Sequence, residues 1–359
     1  MNPAMDKNPR HGAWGSSFWA KIEEDRQIRR RYLLMVGYGL GFAYLYWVLH
    51  DFQPARALRD ARNADWKWVV LGISFEILSY LTQALRWKLL LQPFRKVRFS
   101  TATRAIFTGL FANIVLPLRP GEILRAYLLG KSEDLGFGQV IGSVGVERLI
   151  DLVIATSGLG FASLFVPLPP ELRRAADALG IVALVLLGVL VGAVLYFELT
   201  MRHENAAQIR SRRIPGKVRA ALLGLHAMGT SASFYPAVIA SVAMQGLQVL
   251  AIWAIVHSYS LLLPFLASMV VLLVINIGVS LPNAPANVGS YQFFCVLGLS
   301  VFGVEKTTAT GFSIFAFMAL TLPLLLLGFG AFLGSGLTLH EMREQIRSLP
   351  DSRGSRPAA

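Results

Sequence analysis

The sequence predicts an all-α integral membrane protein with about six full transmembrane helices and two broken, re-entrant helical hairpins arranged as an inverted repeat. If the hairpins cross, the count is eight apolar segments. Three observations predict this. The 359 residues are 54% hydrophobic and only 15% charged, with a mean hydropathy of +0.53, whereas a soluble domain carries about 25% charged residues because its surface faces water. Several apolar runs reach the roughly 20 residues that a helix needs to cross hydrocarbon. Two shorter apolar runs, in corresponding places along the chain, are each interrupted by a Pro-x-x-Pro break.

The charge is lopsided, 34 Lys+Arg against 21 Asp+Glu for a net +13. In a soluble chain that balance raises nucleic-acid binding, but no aromatic–basic interleaving or zinc-ligand spacing supports such a partner. Basic loops held against an anionic cytoplasmic leaflet account for it instead. Residues 1–31 are polar and end in a basic run from Arg26 to Arg31. They are too long and charged for a cleaved signal and read as a cytoplasmic N-terminal arm. The lone Cys295 lies in an apolar run, so no intrachain disulfide is expected.

The first span covers 32–50 and the second 66–91, which contains Glu76; residues 51–65 between them read as a charge-balanced loop. Arg86, Lys88, Arg95, Lys96 and Arg98 close the second span. The N-terminus and this basic end therefore share the cytoplasmic side, as two crossings require. Runs 101–116 and 121–129 are too short to cross ~30 Å of hydrocarbon comfortably at about 1.5 Å per residue. Pro117 and Pro120 separate them, because proline removes a donor and disfavours helix at the residue before it. Broken backbone at membrane depth is tolerated only where protein or a wet cavity satisfies it, so the break predicts a cavity. Spans three and four cover 138–166 and 178–199, followed by a basic loop, 200–220, that is cytoplasmic by the same count. From Ala221 to Val304 there is no Asp, Glu, Lys or Arg. That stretch holds a fifth span, 235–263, and a second broken pair, 265–281 and 289–302, around Pro282 and Pro285. The last span is 307–339, with a kink expected at Pro323, and 340–359 is a short cytoplasmic tail.

The two breaks resemble one another. Each runs Asn-Ile, then Leu-Pro-x-x-Pro, then a glycine that opens the next helix: Asn113 to Gly121 in the first, Asn276 to Gly289 in the second. Each follows two spans and precedes one. Three crossings is an odd number, so the second half must be inverted. The transmembrane domain 32–339 thus divides into halves of about 32–166 and 178–339. Paired broken helices in inverted halves form a transporter layout, with the site near the midplane where the breaks meet; ordinary spans kinked by proline are the alternative. Pro117, Pro120, Gly121, Pro282, Pro285 and Gly289 are the expected break or hinge positions.

Charged side chains inside a membrane face a cavity or a partner, and here they concentrate in the first half. The helix opening at Gly121, with Arg119 and Arg125 beside it, is a candidate anion site. Glu122 suits the same helix end and can pair with Arg125 at i+3, so mutual neutralisation fits equally well. Glu147 and Asp151 are four residues apart and share a face with Ser143, and Arg148 can pair with Asp151. An ion-pair network between this face and Arg119 or Arg125 is expected, serving either head-group binding and proton relay or a structural clamp. Arg86, near the end of its span, reads as snorkelling to the interface, while Glu76 can line the same cavity. Asn113, Asn283, Asn287 and Gln292 complete the candidate cavity residues. His226 and His257 are isolated, so no metal is expected. No Walker A, G-x-S-x-G or H-E-x-x-H sequence occurs, so no cofactor, ATP or catalytic residue is assigned.

The run Phe111–Arg125, with its Gly121-Glu122-x-x-Arg125, and the later Glu147-Arg148-x-x-Asp151 resemble the lysylphosphatidylglycerol synthase transmembrane region family, and Pro282–Gly289 matches its late motif. The resemblance covers nearly the whole chain. It implies a flippase-like protein of the bacterial inner membrane that handles an anionic phospholipid or a polyisoprenoid lipid such as a hopanoid, with lipid-pathway enzymes as possible partners. It implies no room for a soluble aminoacyl-transferase domain. Many relatives carry an acid three residues after the late glycine, where this chain has Gln292. Rival expectations are a membrane-embedded transferase or its accessory subunit, and a scaffold that docks an enzyme on its basic loop.

Overall fold

The apolar runs fold as helices, and no strand occurs among the described residues. In this computed structural model those are 32, 35–50, 52–116, 120–166, 170, 173–174, 177–178, 180–182, 184–188, 192, 228, 231–280 and 285–336. The N-terminal arm, the fourth span, the loop 200–220 and the tail lie wholly or partly outside them, as do Pro117, Arg119, Pro282 and Asn283.

Helix α1 is Met35–Leu49. Residues expected as a plain loop instead contain α2, Pro54–Arg62, with proline in its first turn and Arg59 and Arg62 in its last. Both are favourable helix-end placements, and Arg56 ties α2 to Glu305 at 3.0 Å. Helix α3, Trp66–Leu91, is capped by Asp65, whose carboxylate accepts from the Lys67 backbone N–H at 2.9 Å. The first broken pair is α4, Phe99–Val115, and α5, Gly121–Glu133. Helix α6, Phe137–Ser163, follows. Then come α7, Phe234–Ser258, and the second broken pair: α8, Phe265–Ser280, and α9, Ser290–Ser300, joined through a 3-10 turn at Pro285–Asn287. The last helix, α10, Lys306–Leu333, runs continuously through Pro323.

Side chains are distributed as a bilayer requires. Helices α3, α7 and α10 are long and apolar enough to cross a membrane. Phe42, Val70, Ile239 and Leu326 project outward, while Arg86, Arg125 and Glu147 are buried. A soluble monomer rarely exposes extended apolar patches and almost never buries Arg or Glu in preference to Leu. The chain is a multi-pass membrane protein.

The arms of each broken pair return to the end from which they start. In the first pair Gly109 faces Arg125, Asn113 faces Gly121, and the Arg98 backbone N–H and guanidinium both reach Glu133 at the base, at 3.4 and 3.5 Å. The arms are therefore antiparallel. With 17 and 13 residues they extend about 25 and 20 Å at 1.5 Å per residue, short of a ~30 Å core. In the second pair Gly298 packs on Val271 and Gly278 on Phe294, and α9 has only 11 residues. Both pairs are re-entrant hairpins.

The packing repeats when the halves are exchanged. Helices α3 and α7 form the central seam; α4 packs on α3, α5 and α10 just as α8 packs on α7, α9 and α6. The seam is antiparallel: the Asp65 N–H donates to the Ser258 carbonyl at one end, Gly72 faces Ala251 and Ile255, and Arg86 meets Ser241 at the other. Corresponding helices that pack antiparallel mark an inverted repeat rather than a side-by-side one. Each half contributes a core beside its own hairpin, one around Trp87, Ile106 and Leu129 and the other around Ile252, Val271 and Phe312.

The first hairpin closes at its tip because Gly121 has no side chain. A Cβ there would overlap the Gly109 carbonyl and the Asn113 amide, which accepts the Gly121 N–H at 2.7 Å. Gly121→Ala is expected to destabilise the protein by about 1–3 kcal/mol, the usual cost of overpacking. Gly142→Ala, where a Cβ meets nothing within 4 Å, serves as the neutral control. Thermal melts of the two variants in detergent check this.

Candidate functional site

Helix α6 carries Glu147 into the interior, where it is fully buried between two arginines. Arg125 of α5 donates Nη2–H to Glu147 Oε2 at 2.6 Å. Arg86 of α3 approaches Oε1 at 3.3 Å, an ion-pair contact without hydrogen-bond geometry. Arg86 also donates to Asp151, one turn further along α6, with Nη2 3.4 Å from Oδ2, and Nη1 lies 3.4 Å from Ser241 Oγ on α7. Arg148 pairs with Glu122 of α5 and stands 3.7 Å from Asp151. The cluster thus holds Arg86, Arg125 and Arg148 against Glu122, Glu147 and Asp151, and its formal charge is zero.

Neutrality is what makes the cluster possible. An ion removed from water costs several kcal/mol even after relaxation, and only a well-placed opposite charge offsets it. Trp87 supports the arrangement from α3. Its ring lies 4.8 Å from the Arg125 guanidinium carbon, and its indole N–H donates to Ser143 Oγ at 2.9 Å. A cation over an aromatic face gains about 0.5–2 kcal/mol, more when dry.

Beside the cluster lies a cavity of about 820 Å³. Asn113, Gly121, Glu122, Arg125, Arg148 and Asp151 form one wall; Gln245, Gln248, Asn276, Asn287 and Tyr291 form the other, and Glu76 of α3 also faces it. The first wall is charged and the second is polar but neutral, because residues 221–304 contain no charged side chain. Arg148 and Glu122 are the accessible members, 52% and 37% exposed, whereas the Arg125 side chain is 5% exposed. The second break shapes the opposite wall. Ala286 and Asn287 take left-handed φ values of 55° and 58°, and Gly289 takes 88°, a conformation costly for alanine and held here by the surrounding packing. A Cβ on Gly289 would also overlap the Gly41 carbonyl of α1.

Most of the expected site residues converge here, with several reassigned. The expected link between the 147–151 face and Arg125 is present. Glu122 pairs across helices with Arg148 rather than with Arg125 at i+3. Arg86 does not snorkel: it is wholly buried in the cluster. Asn113 lines the cavity and closes the hairpin tip. Gln292 turns back to accept the Gly289 N–H at 2.8 Å, so its amide caps α9. Asn287 lines the cavity, while Pro120 and Pro285 flank the two breaks. Arg119, Asn283, Pro117 and Pro282 fall outside the described residues. No group of three or more metal-ligating side chains occurs among the described residues.

The sequence profile described as lysylphosphatidylglycerol synthase TM region matches residues 34–328. Among curated proteins, the chain is similar to a UPF0104 membrane protein of Methanocaldococcus jannaschii, 25% identical over 32% of this chain and 35% of the relative. It is similar to another of Pyrococcus horikoshii, 24% identical over 53% of this chain and 56% of the relative. The glycosyltransferase AglD of Haloferax volcanii is 24% identical over 38% of this chain and 22% of its own length. The matches thus span well under two thirds of each relative. No solved structure matches.

The charge balance makes a specific demand on stability. Arg125→Met leaves Glu147 and its neighbours with an uncompensated negative charge and is expected to cost about 3–5 kcal/mol. In the double variant Arg125→Met/Glu147→Leu, Arg86 and Asp151 remain paired and most of that loss is recovered. A double-mutant cycle of melting in lipid nanodiscs checks the recovery.

Proposed function

Because the chain belongs to the lysylphosphatidylglycerol synthase TM region family, we propose that it is a lipid flippase or transporter that moves a phospholipid or polyisoprenoid lipid across or out of its membrane. The observation that carries this reading is the cavity between the two re-entrant hairpins, charged on one wall and neutral on the other. Its volume falls within the range of small-molecule sites. A polar head group passing between leaflets must exchange hydration for fixed partners. Arg148, Glu122 and Asp151 offer both signs of charge at the accessible part of the wall, and Gln248 and Asn276 offer amides opposite. The acyl or isoprenoid tails stay in the bilayer. Arg148 takes over the anion-contacting role that the sequence suggested for Arg125, whose guanidinium is engaged by Glu147 and Trp87. The proposal sets the protein in a bacterial inner membrane with both termini cytoplasmic, in keeping with its basic loops.

The likeness to AglD favours a second reading, an accessory subunit or embedded part of a transferase acting on a lipid-linked substrate. Lipid-pathway enzymes are partners in either case. Product formation by the purified protein with a lipid-linked donor separates this reading from transport.

Reconstitution in liposomes with fluorescent lipids tests the main proposal. Wild type should move label between leaflets at least about tenfold faster than empty liposomes. Arg148→Ala should lose about tenfold of that, equivalent to roughly 1.4 kcal/mol of barrier. Wild-type movement no faster than the empty-liposome rate, with both phospholipid and polyisoprenoid cargo, overturns it.

A further inference from the structure

Glu76 stands apart from the six-residue cluster. It lies within the membrane-spanning stretch of α3 and lines the cavity, about 15 Å along the helix from Arg86 at 1.5 Å per residue. Its backbone carbonyl accepts from Ser79 Oγ, but its carboxyl group has no hydrogen bond or ion pair among the described residues.

Among the described residues, the groups around it supply no free counter-ion. Arg125 of α5 and Arg148 of α6 reach the cavity already matched by Glu147, Glu122 and Asp151, and Arg86 is held by Glu147 and Asp151. Helices α4, α7, α8 and α10 and the 3-10 turn present only uncharged groups, such as Asn113, Gln248, Asn276, Thr321 and Asn287. From α9 comes Tyr291, which lines the same cavity and whose buried hydroxyl has no hydrogen-bond partner among the described residues. Tyr80, on Glu76's own helix, is the remaining phenol of the cavity. Ionised, Glu76 would add a negative charge to a cavity whose other described charges, Arg125 and Arg148 against Glu122 and Asp151, are already balanced.

We propose that Glu76 is a proton-binding site of this cavity. Without a counter-ion, a carboxylate at membrane depth is costly, whereas the neutral acid can donate its O–H to an oxygen in the cavity and accept from a hydroxyl such as that of Tyr291. When water or a cationic group reaches it, the O–H bond breaks, the proton leaves to water as hydronium and the carboxylate remains; the reverse step reloads it. One exchangeable proton in a cavity of otherwise fixed charge is the simplest means of linking occupancy to a proton gradient. The site stands whether or not the protein moves lipid, because it is defined by protonation alone.

Infrared difference spectroscopy of the full chain in lipid nanodiscs tests it. At about pH 6.5, roughly two units above the ordinary glutamate value, exposed carboxyls are ionised. Wild type should then retain the carbonyl stretch of a protonated carboxylic acid and lose it as pH rises. Glu76→Gln should abolish that band, and Asp60→Asn, on α2, should leave it unchanged. Absence of the band in wild type, or its persistence in Glu76→Gln, overturns the assignment. If Glu76→Gln does not fold, Glu76→Asp decides: the band should move in frequency or in titration midpoint, and an unmoved band overturns the proposal.

Discussion

Glu147 holds two arginines from two different helices in the interior of a protein whose outer surface is hydrocarbon-like. Arg86 and Arg125 have no water to return to, so the positions of α3, α5 and α6 relative to one another are set by where one carboxylate can satisfy both. The rest follows from that constraint. The returning arm of the first hairpin must lie against α6, which leaves Glu122 and Arg148 at the edge of the cluster and opens the cavity on their far side. Arg86 also touches Ser241 across the seam, so the ionic cluster anchors the first half to the second as well as holding itself together.

Much of the architecture is legible in the sequence because membranes leave few options. Length and apolarity locate the spans, and two Pro-x-x-Pro breaks at matching positions locate the hairpins. What is lost is whatever depends on neighbours distant in sequence. Glu122 and Arg125 stand at i+3, and local spacing favours pairing them, yet α6 brings Glu147 and Arg148 closer and exchanges the partners. Arg86 sits near Lys88 and a basic run, which reads as an interface, and nothing in that local pattern reveals Asp151 opposite. Helix α2 escapes notice because four of its nine residues are charged and it buries no side chain. Gln292 reads as a cavity group, but a side chain three residues into a helix is also placed to cap it, and here capping prevails.

The halves share a plan but not a chemistry. The same helix neighbours recur on either side of the α3–α7 seam, yet all six cluster charges belong to the first half and none has a counterpart between Ala221 and Val304. The second hairpin instead has a neutral amide wall and a backbone bent through left-handed residues at Ala286 and Asn287. One hairpin is fixed by ion pairs and the other by close backbone contact with α1 through Gly289 and Gly41. These are different kinds of restraint. Charge pairing is long-ranged and tolerates small shifts, whereas a backbone contact at van der Waals distance does not.

The zero sum of the cluster also has an evolutionary consequence. Each of the six side chains is compensated by others, so losing one alone leaves a charge unmatched, while losing Arg125 with Glu147, or Arg148 with Glu122, leaves the remainder paired. Inherited change at these six positions is therefore expected in matched pairs rather than singly, which ties the history of α5 to that of α6.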